Sequence, residues 1–79
     1  MKEYIATFFT HSGAIKFDRK AKSKNIECHL MPVPRKLSSD CGIGAKFKFD
    51  KDVLDLVDDE IEKIFIVKDG KYELVYSNE

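Results

Sequence analysis

The chain has 79 residues, which is enough for one small domain with a single two-layer core. Its 43% hydrophobic and 35% charged residues are typical of a soluble globular protein and exclude a disordered chain. No apolar run approaches the roughly 20 residues of a membrane-spanning helix, and no signal-peptide pattern precedes the first strand pattern. We therefore expect one domain, residues 1–79, in the cytoplasm, with no membrane partner.

The formal net charge is zero, but the charges are unevenly distributed. Residues 16–36 include seven basic and two acidic side chains, whereas residues 50–62 include seven acidic side chains and one lysine. One face should therefore be basic and another acidic. Two interpretations stay open: two solvated surfaces, or an electrostatic docking patch for an acidic protein or a nucleic acid.

The first predicted element is a strand from Glu3 to Phe9, a nearly continuous apolar run that is typical of a central strand. Thr10, His11 and Ser12 follow as candidate N-caps of a helix predicted from about Gly13 to Lys24. A second strand is predicted from Ile26 to Val33.

The third predicted strand, Ile43 to Phe49, has the clearest alternation of apolar and polar residues in the chain. Spacing of apolar residues then predicts a second helix from about Lys51 to Glu62, capped by Asp50. Ile64 to Lys68 should form a fourth strand. Asp69-Gly70 is a hairpin signal that returns the chain as a fifth, edge strand, Tyr72 to Tyr76.

This order predicts the α+β class, with a ferredoxin-like βαββαβ sandwich and an extra C-terminal strand that forms a hairpin. In that fold the first and third strands are neighbours. The loop before the third strand, which contains Cys41, should then lie beside Thr10, His11, Ser12 and the start of the first helix.

The loop around Cys41 has a composition suited to presenting a thiol. Pro32 and Pro34 restrict the direction in which the chain leaves the second strand. Ser38, Ser39 and Asp40 are residue types whose side chains bond to the backbone of turns. Gly42 and Gly44 permit conformations or close approaches that a side chain would forbid. The alternative is an ordinary buried cysteine at the start of a strand.

A helix N-terminus and nearby basic groups stabilise a thiolate, so Arg35, Lys36 and the first helix favour a reactive Cys41. His11 has three possible roles: base, cation or capping residue. Cys28 alternates onto an apolar strand face and is expected in the core, although a position facing Cys41 would make it a resolving thiol.

Other chemistry is poorly represented in the sequence. With two cysteines, no CxxC spacing and two histidines, no structural zinc site is predicted. No phosphate-binding glycine motif and no nucleophile with a clear base is evident. We expect no cofactor, and a carrier or binding protein rather than an independent enzyme.

Two segments resemble a known family. The run Pro32-Val33-Pro34-Arg35 with Leu37-Ser38-Ser39-Asp40-Cys41-Gly42-Ile43 resembles the signature of the small bacterial selenium/sulfur carrier-like proteins, and Phe9-Thr10-His11 before Ala14 resembles their strand-to-helix connection. The segment after Ile64 is less diagnostic. The resemblance implies that Cys41 carries a persulfide or selenosulfide between a donor, such as a cysteine desulfurase, and an acceptor. The supporting residues would be Thr10, His11, Ser12, Arg35, Ser38, Ser39 and Gly42.

Three hypotheses follow from these residues. The first is the sulfur or selenium carrier acting through Cys41. The second is a non-catalytic protein-binding or regulatory module that uses its uneven charge to dock a partner, with nucleic acid not excluded. The third is a thiol-dependent redox protein that uses Cys41 with Cys28. The oligomeric state stays open.

Overall fold

The structure is a computed structural model that describes residues 1–37 and 41–78. Its elements are β1 (Lys2–Phe8), α1 (His11–Ser23), β2 (Cys28–Pro32), β3 (Ile43–Phe49), a 3-10 turn (Val53–Leu56), β4 (Ile61–Lys68) and β5 (Lys71–Ser77). The described residues form one α-helix and one antiparallel sheet of five strands. The predicted α+β class is confirmed.

The strand order in the sheet is β2-β3-β1-β4-β5. β1 is central, as its apolar run predicts, and pairs with β3 on one side and β4 on the other. β5 is an edge strand that pairs with β4 through the predicted hairpin. At that turn Asp69 and Gly70 both have positive φ, 50° and 75°, which is the geometry that an Asp-Gly pair tolerates.

The predicted second helix, Lys51 to Glu62, is wrong. Only the 3-10 turn forms there, and its C-cap residue Val57 is extended, with φ −69° and ψ 137°. Asp58 accepts a hydrogen bond from the Glu60 backbone N–H at 2.9 Å, so its side chain turns the chain locally instead of continuing a helix. β4 then begins at Ile61, inside the predicted helix. The βαββαβ order therefore lacks its second helix.

The core lies between α1 and one face of the sheet. Three phenylalanine rings form its centre, with centroid distances of 5.5 Å for Phe8 and Phe17 and 5.2 Å for Phe17 and Phe47. Each is at most 1% exposed, and burying such a ring contributes roughly 1.5–3 kcal/mol. The small residues Ala14 and Ala21 on the same face of α1 are also buried and let the helix approach the sheet.

The start of α1 confirms one of its predicted caps. Thr10 is the N-cap: its backbone is extended, and its hydroxyl accepts a hydrogen bond from the Gly13 N–H at 3.0 Å. The helix therefore begins at His11, two residues before the prediction. At its other end the helix stops at Ser23, one residue before the prediction, and Asn25 has φ 60°, a left-handed conformation that is common after a helix.

The basic and acidic segments meet inside the fold. Lys20 Nζ donates to the Leu56 carbonyl and to the Asp58 carboxylate, both at 3.0 Å, and Lys16 pairs with Glu60 at 3.7 Å. α1 therefore holds the segment that replaces the second helix. Part of the predicted charge asymmetry is neutralised within the chain, because Lys20 and Lys16 already have partners.

Candidate functional site

The loop that contains Cys41 connects β2 to β3 and is fixed at both ends by backbone hydrogen bonds. The Val33 N–H donates to the Gly42 carbonyl at 2.9 Å, and the Leu37 N–H donates to the Pro34 carbonyl at 2.9 Å. Gly42 has φ 75°, a conformation that favours glycine, immediately after the cysteine. The predicted turn residues Ser38, Ser39 and Asp40 lie outside the described residues.

The Cys41 side chain is half-buried at the edge of the core. Its thiol donates to the Ile43 carbonyl, with 3.4 Å between sulfur and oxygen, and the residue packs against the hydrophobic cluster. This differs from the fully buried cysteine that was the alternative interpretation. Cys41 is therefore neither sealed in the core, as Cys28 is, nor fully exposed.

His11 connects this loop to the first turn of α1. Its Nε2 atom lies 2.8 Å from the Cys41 carbonyl oxygen. Because a carbonyl oxygen only accepts, Nε2 must carry the hydrogen and donate. His11 therefore contacts the backbone of Cys41 and ties the loop to α1, a role that the sequence did not predict. The neutral and the charged imidazole can both make this contact. The pairing of β1 with β3 is what brings the two residues together, as the topology argument expects.

The other predicted site residues are placed as follows. Thr10 uses its hydroxyl as the helix cap, and Ser12 is exposed in the first turn of α1. Arg35 is exposed in the turn that follows β2. At Gly42 an added Cβ would meet no described atom within 4 Å, so its requirement for glycine comes from backbone conformation alone.

Cys28 has a different environment. It is 2% exposed and lies under α1, on the face of β2 that packs into the core. Burial, and next the neighbouring Asp18 carboxylate, raise the pKa of the Cys28 thiol to about 12, although Lys22 acts in the opposite direction. Asp18 raises this pKa first through its negative charge and next through a side-chain hydrogen bond with the thiol, which favours the protonated form.

The two cysteines do not form a disulfide. Cys28 pairs with Phe47 and Pro32 pairs with Ile43. The two ends of β2 are therefore four residue steps apart, which is about 13 Å along a strand. Cys41 is held at the Ile43 end. Because a disulfide requires Cα atoms within about 7 Å, Cys28 cannot act as the resolving thiol unless β2 separates from β3.

Sequence analysis did not identify a shallow apolar groove beside Cys41. The groove has a volume of about 300 Å³ and is lined by Leu30, Met31, Pro32, Gly42 and Ile43. Its residues come from both sides of the β2–β3 pair, so only the strand register brings them together. No pattern within either segment alone points to this groove.

A second depression lies on the sheet face away from α1. It is lined by Glu3, Glu27, His29, Lys46, Phe47 and Lys48. Lys46 pairs with Glu3 and Lys48 with Glu27, each at 3.4 Å. These charges are therefore satisfied across the strands. His29 is exposed on this surface.

The described residues show neither a metal-binding cluster nor a membrane-spanning helix. Within residues 1–37 and 41–78, no three His, Cys, Asp or Glu side chains are grouped so that they would hold a metal ion. The α-helix in this part of the chain is too short and too polar to cross a membrane.

The fold and the site define a small α+β protein with a half-buried cysteine in the loop between β2 and β3, and His11 ties the backbone of this cysteine to the first turn of α1. Residues 3–73 match the model of the family described as "Putative Se/S carrier protein-like". The chain belongs to this family. No curated protein and no solved structure gave a significant match.

Proposed function

We propose that the protein carries sulfur or selenium as a persulfide or selenosulfide on Cys41. The observation that supports this most directly is the thiol itself, half-buried in a loop that His11 ties to the start of α1. A carrier needs a thiol that a second protein can reach, and it needs no pocket for a bound substrate. Membership in the Se/S carrier-like family supports the same chemistry.

The loading step is a transfer of a terminal sulfur atom between thiols. The Cys41 thiolate attacks the outer sulfur of a persulfide on the donor. A new S–S bond forms on Cys41, the donor's S–S bond breaks, and its cysteine leaves as a thiolate. An acceptor thiolate then attacks the outer sulfur in the same way and regenerates the Cys41 thiolate. The selenosulfide cycle is identical, with selenium as the outer atom, and neither cycle has a net oxidant or reductant.

The first turn of α1 supports this chemistry. Unpaired N–H groups at a helix N-terminus stabilise negative charge nearby, and His11 attaches the backbone of Cys41 to that turn. Neither a thiolate nor a persulfide anion would then have to be stabilised by solvent alone. Thr10, Ser12, Arg35 and Gly42 are proposed to support the loop or its charge, together with Ser38 and Ser39.

We propose a cysteine desulfurase as the donor, and a reducing compartment such as the cytoplasm, because a carrier needs Cys41 as a free thiol before loading. The test is to incubate the protein with a desulfurase and L-cysteine and to locate added sulfur by mass spectrometry. One added sulfur atom on the Cys41 peptide, and none on the Cys28 peptide, is expected. A Cys41 thiol that stays unmodified while the desulfurase turns over would contradict the carrier function and leave the protein-binding module.

A further inference from the structure

We propose that the groove beside Cys41 receives an acidic loop with an apolar tip from the protein that exchanges sulfur with Cys41. This inference rests on the proposed carrier function and adds the chemistry of the partner. The groove is the one lined by Leu30, Met31, Pro32, Gly42 and Ile43.

The groove is placed for this role because it adjoins the thiol. Gly42 and Ile43 directly follow Cys41, and the Cys41 thiol is hydrogen-bonded to the Ile43 carbonyl. A side chain in the groove therefore brings the chain that carries it next to the sulfur. Leu30 is 39% exposed at the same surface, which gives the groove an apolar wall that burial would favour.

Two cations lie in the turn that follows the strand lining the groove. Arg35 and Lys36 occupy the middle of the turn closed by the Leu37–Pro34 hydrogen bond, directly after the strand that lines the groove. Both are exposed, and neither pairs with an acid in the part of the chain that the structure describes. Asp40 is the one acidic residue between positions 33 and 42 of the sequence.

Five other lysines already pair with acids. Lys16, Lys20 and Lys22 pair with acids next to or on α1, and Lys46 and Lys48 pair with acids across the sheet. Arg35 and Lys36 differ from these five lysines because no acid in the described part of the chain pairs with them, so their charge is available to a partner. Charge complementarity raises association rates and selects among partners, so a carboxylate-bearing partner is favoured.

The partner would not dock by adding a strand to β2. The Glu27 carbonyl and the Val33 N–H both bond toward β3, so the intervening even-numbered residues of β2 direct their backbone groups outward. Among these, Pro32 has no N–H to donate, and a proline at this place blunts a sheet edge. Recognition must then depend on side chains that enter the groove.

A protein partner fits better than a nucleic acid. Binding of single strands uses a continuous basic track with aromatic rings on which bases stack. The groove is lined by aliphatic side chains, a methionine and a glycine, with no aromatic ring. Its two unpaired cations suit a short acidic segment.

The test measures thiol exchange with synthetic peptides of equal length. Each peptide has a leucine and a central cysteine activated as a 2-pyridyl disulfide, flanked by glutamates, serines or lysines. The Cys41 thiolate attacks the peptide sulfur, a protein–peptide disulfide forms, and pyridine-2-thione leaves and is measured by its absorbance. Cys41→Ser provides the background rate.

At low salt the glutamate peptide should react about tenfold faster than the lysine peptide, and the difference should shrink as salt is added. Arg35→Glu with Lys36→Glu should reverse the order. Leu30→Ser should slow all three peptides. Lys68→Glu with Lys71→Glu is the matched control, because it makes the same charge change at the distant hairpin and should leave the order unchanged.

Equal rates for the acidic and basic peptides would overturn the inference, as would a hairpin control that reverses the order. A mixed-sequence RNA that competes with the glutamate peptide, and loses this effect in the Arg35 and Lys36 variant, would assign the site to nucleic acid instead. Sulfur loading by the desulfurase is measured separately. Loading on Cys41 without any peptide preference would refute the inference and leave the carrier function standing.

Discussion

Cys28 and Cys41 lie toward opposite ends of the β2–β3 pair, and their two thiols have different environments. Cys28 begins β2 and is sealed beneath α1, beside a carboxylate that opposes its ionisation. Cys41 is half-buried in the loop before β3, and its backbone carbonyl is bonded to His11 at the start of α1. The comparison teaches that position in the sheet, more than sequence neighbours, separates a core cysteine from a candidate carrier.

The largest expected effect comes from exchanging one atom at each cysteine. Cys41→Ser should abolish sulfur loading because a hydroxyl cannot form a persulfide, and it should leave the unfolding midpoint nearly unchanged at this half-buried position. Cys28→Ser should retain loading. Mass spectrometry of both variants after incubation with a desulfurase checks this. Loading of the Cys41→Ser protein would remove Cys41 from the mechanism.

Native-state alkylation should separate the two thiols next most strongly. Cys28 is 2% exposed, so a reagent reaches it only when the protein opens, whereas Cys41 is accessible from the loop. If opening costs about 3 kcal/mol, labelling of Cys28 is slowed by at least about a hundredfold. Iodoacetamide labelling at neutral pH, followed by peptide mass spectrometry, measures the ratio. Similar rates would show that the two environments do not differ in solution.

The free energy of unfolding should be more sensitive to substitution at Cys28 than at Cys41. Cys28→Ser places a hydroxyl on a buried, apolar strand face, which costs about 1–3 kcal/mol of the free energy of unfolding. Urea unfolding measures the loss. Cys28→Ala is the control, since it removes the sulfur without adding a polar group. A serine variant as stable as the alanine variant would indicate that Asp18 or another polar group satisfies the hydroxyl.

The raised pKa of Cys28 predicts how stability depends on pH. The unfolded chain releases this proton near pH 9.0 and the folded chain near pH 12, so between these values the folded state holds more protons. Stability should therefore fall as pH rises above about 9, by up to about 1.4 kcal/mol for each pH unit. Comparing urea unfolding at pH 8 and about pH 10 should show a larger loss for the native sequence than for Cys28→Ala. Equal losses would show that the thiol ionises alike in both states.

The smallest effect concerns the contact between His11 and the loop. His11→Ala removes one exposed hydrogen bond to the Cys41 carbonyl, so the free energy of unfolding should fall by less than about 1 kcal/mol. Loading of Cys41 should slow, because the loop loses its attachment to α1, while labelling of Cys28 stays unchanged. His29→Ala is the matched control at an exposed histidine on β2. If loading of Cys41 slowed to a similar extent in both variants, His11 would have no specific role at the site.

Local signals in the sequence predicted much of this comparison. The alternation in β2 and β3 assigned Cys28 to the core, and Thr10 and the Asp69-Gly70 turn were identified from residue type alone. These features depend on neighbours within a few residues. The pairing of β1 with β3, which brings Cys41 to α1, was available only as an implication of the topology.

Features that depend on distant residues were missed. Apolar spacing in the segment after Asp50 resembled a helix, but Asp58 turns the chain and Lys20 of α1 holds it from 38 positions away. The groove beside Cys41 requires residues from two strands in one register. Periodicity along a single segment contains no information about such contacts.

The hydrogen bond from His11 has a consequence for experiments on this thiol. Nε2 carries a hydrogen in the neutral form that the contact requires, and it carries one in the charged form as well, because protonation adds a hydrogen at Nδ1. The hydrogen bond is therefore available in both forms of the imidazole, so experiments on this thiol can use either form without losing the attachment of the loop to α1.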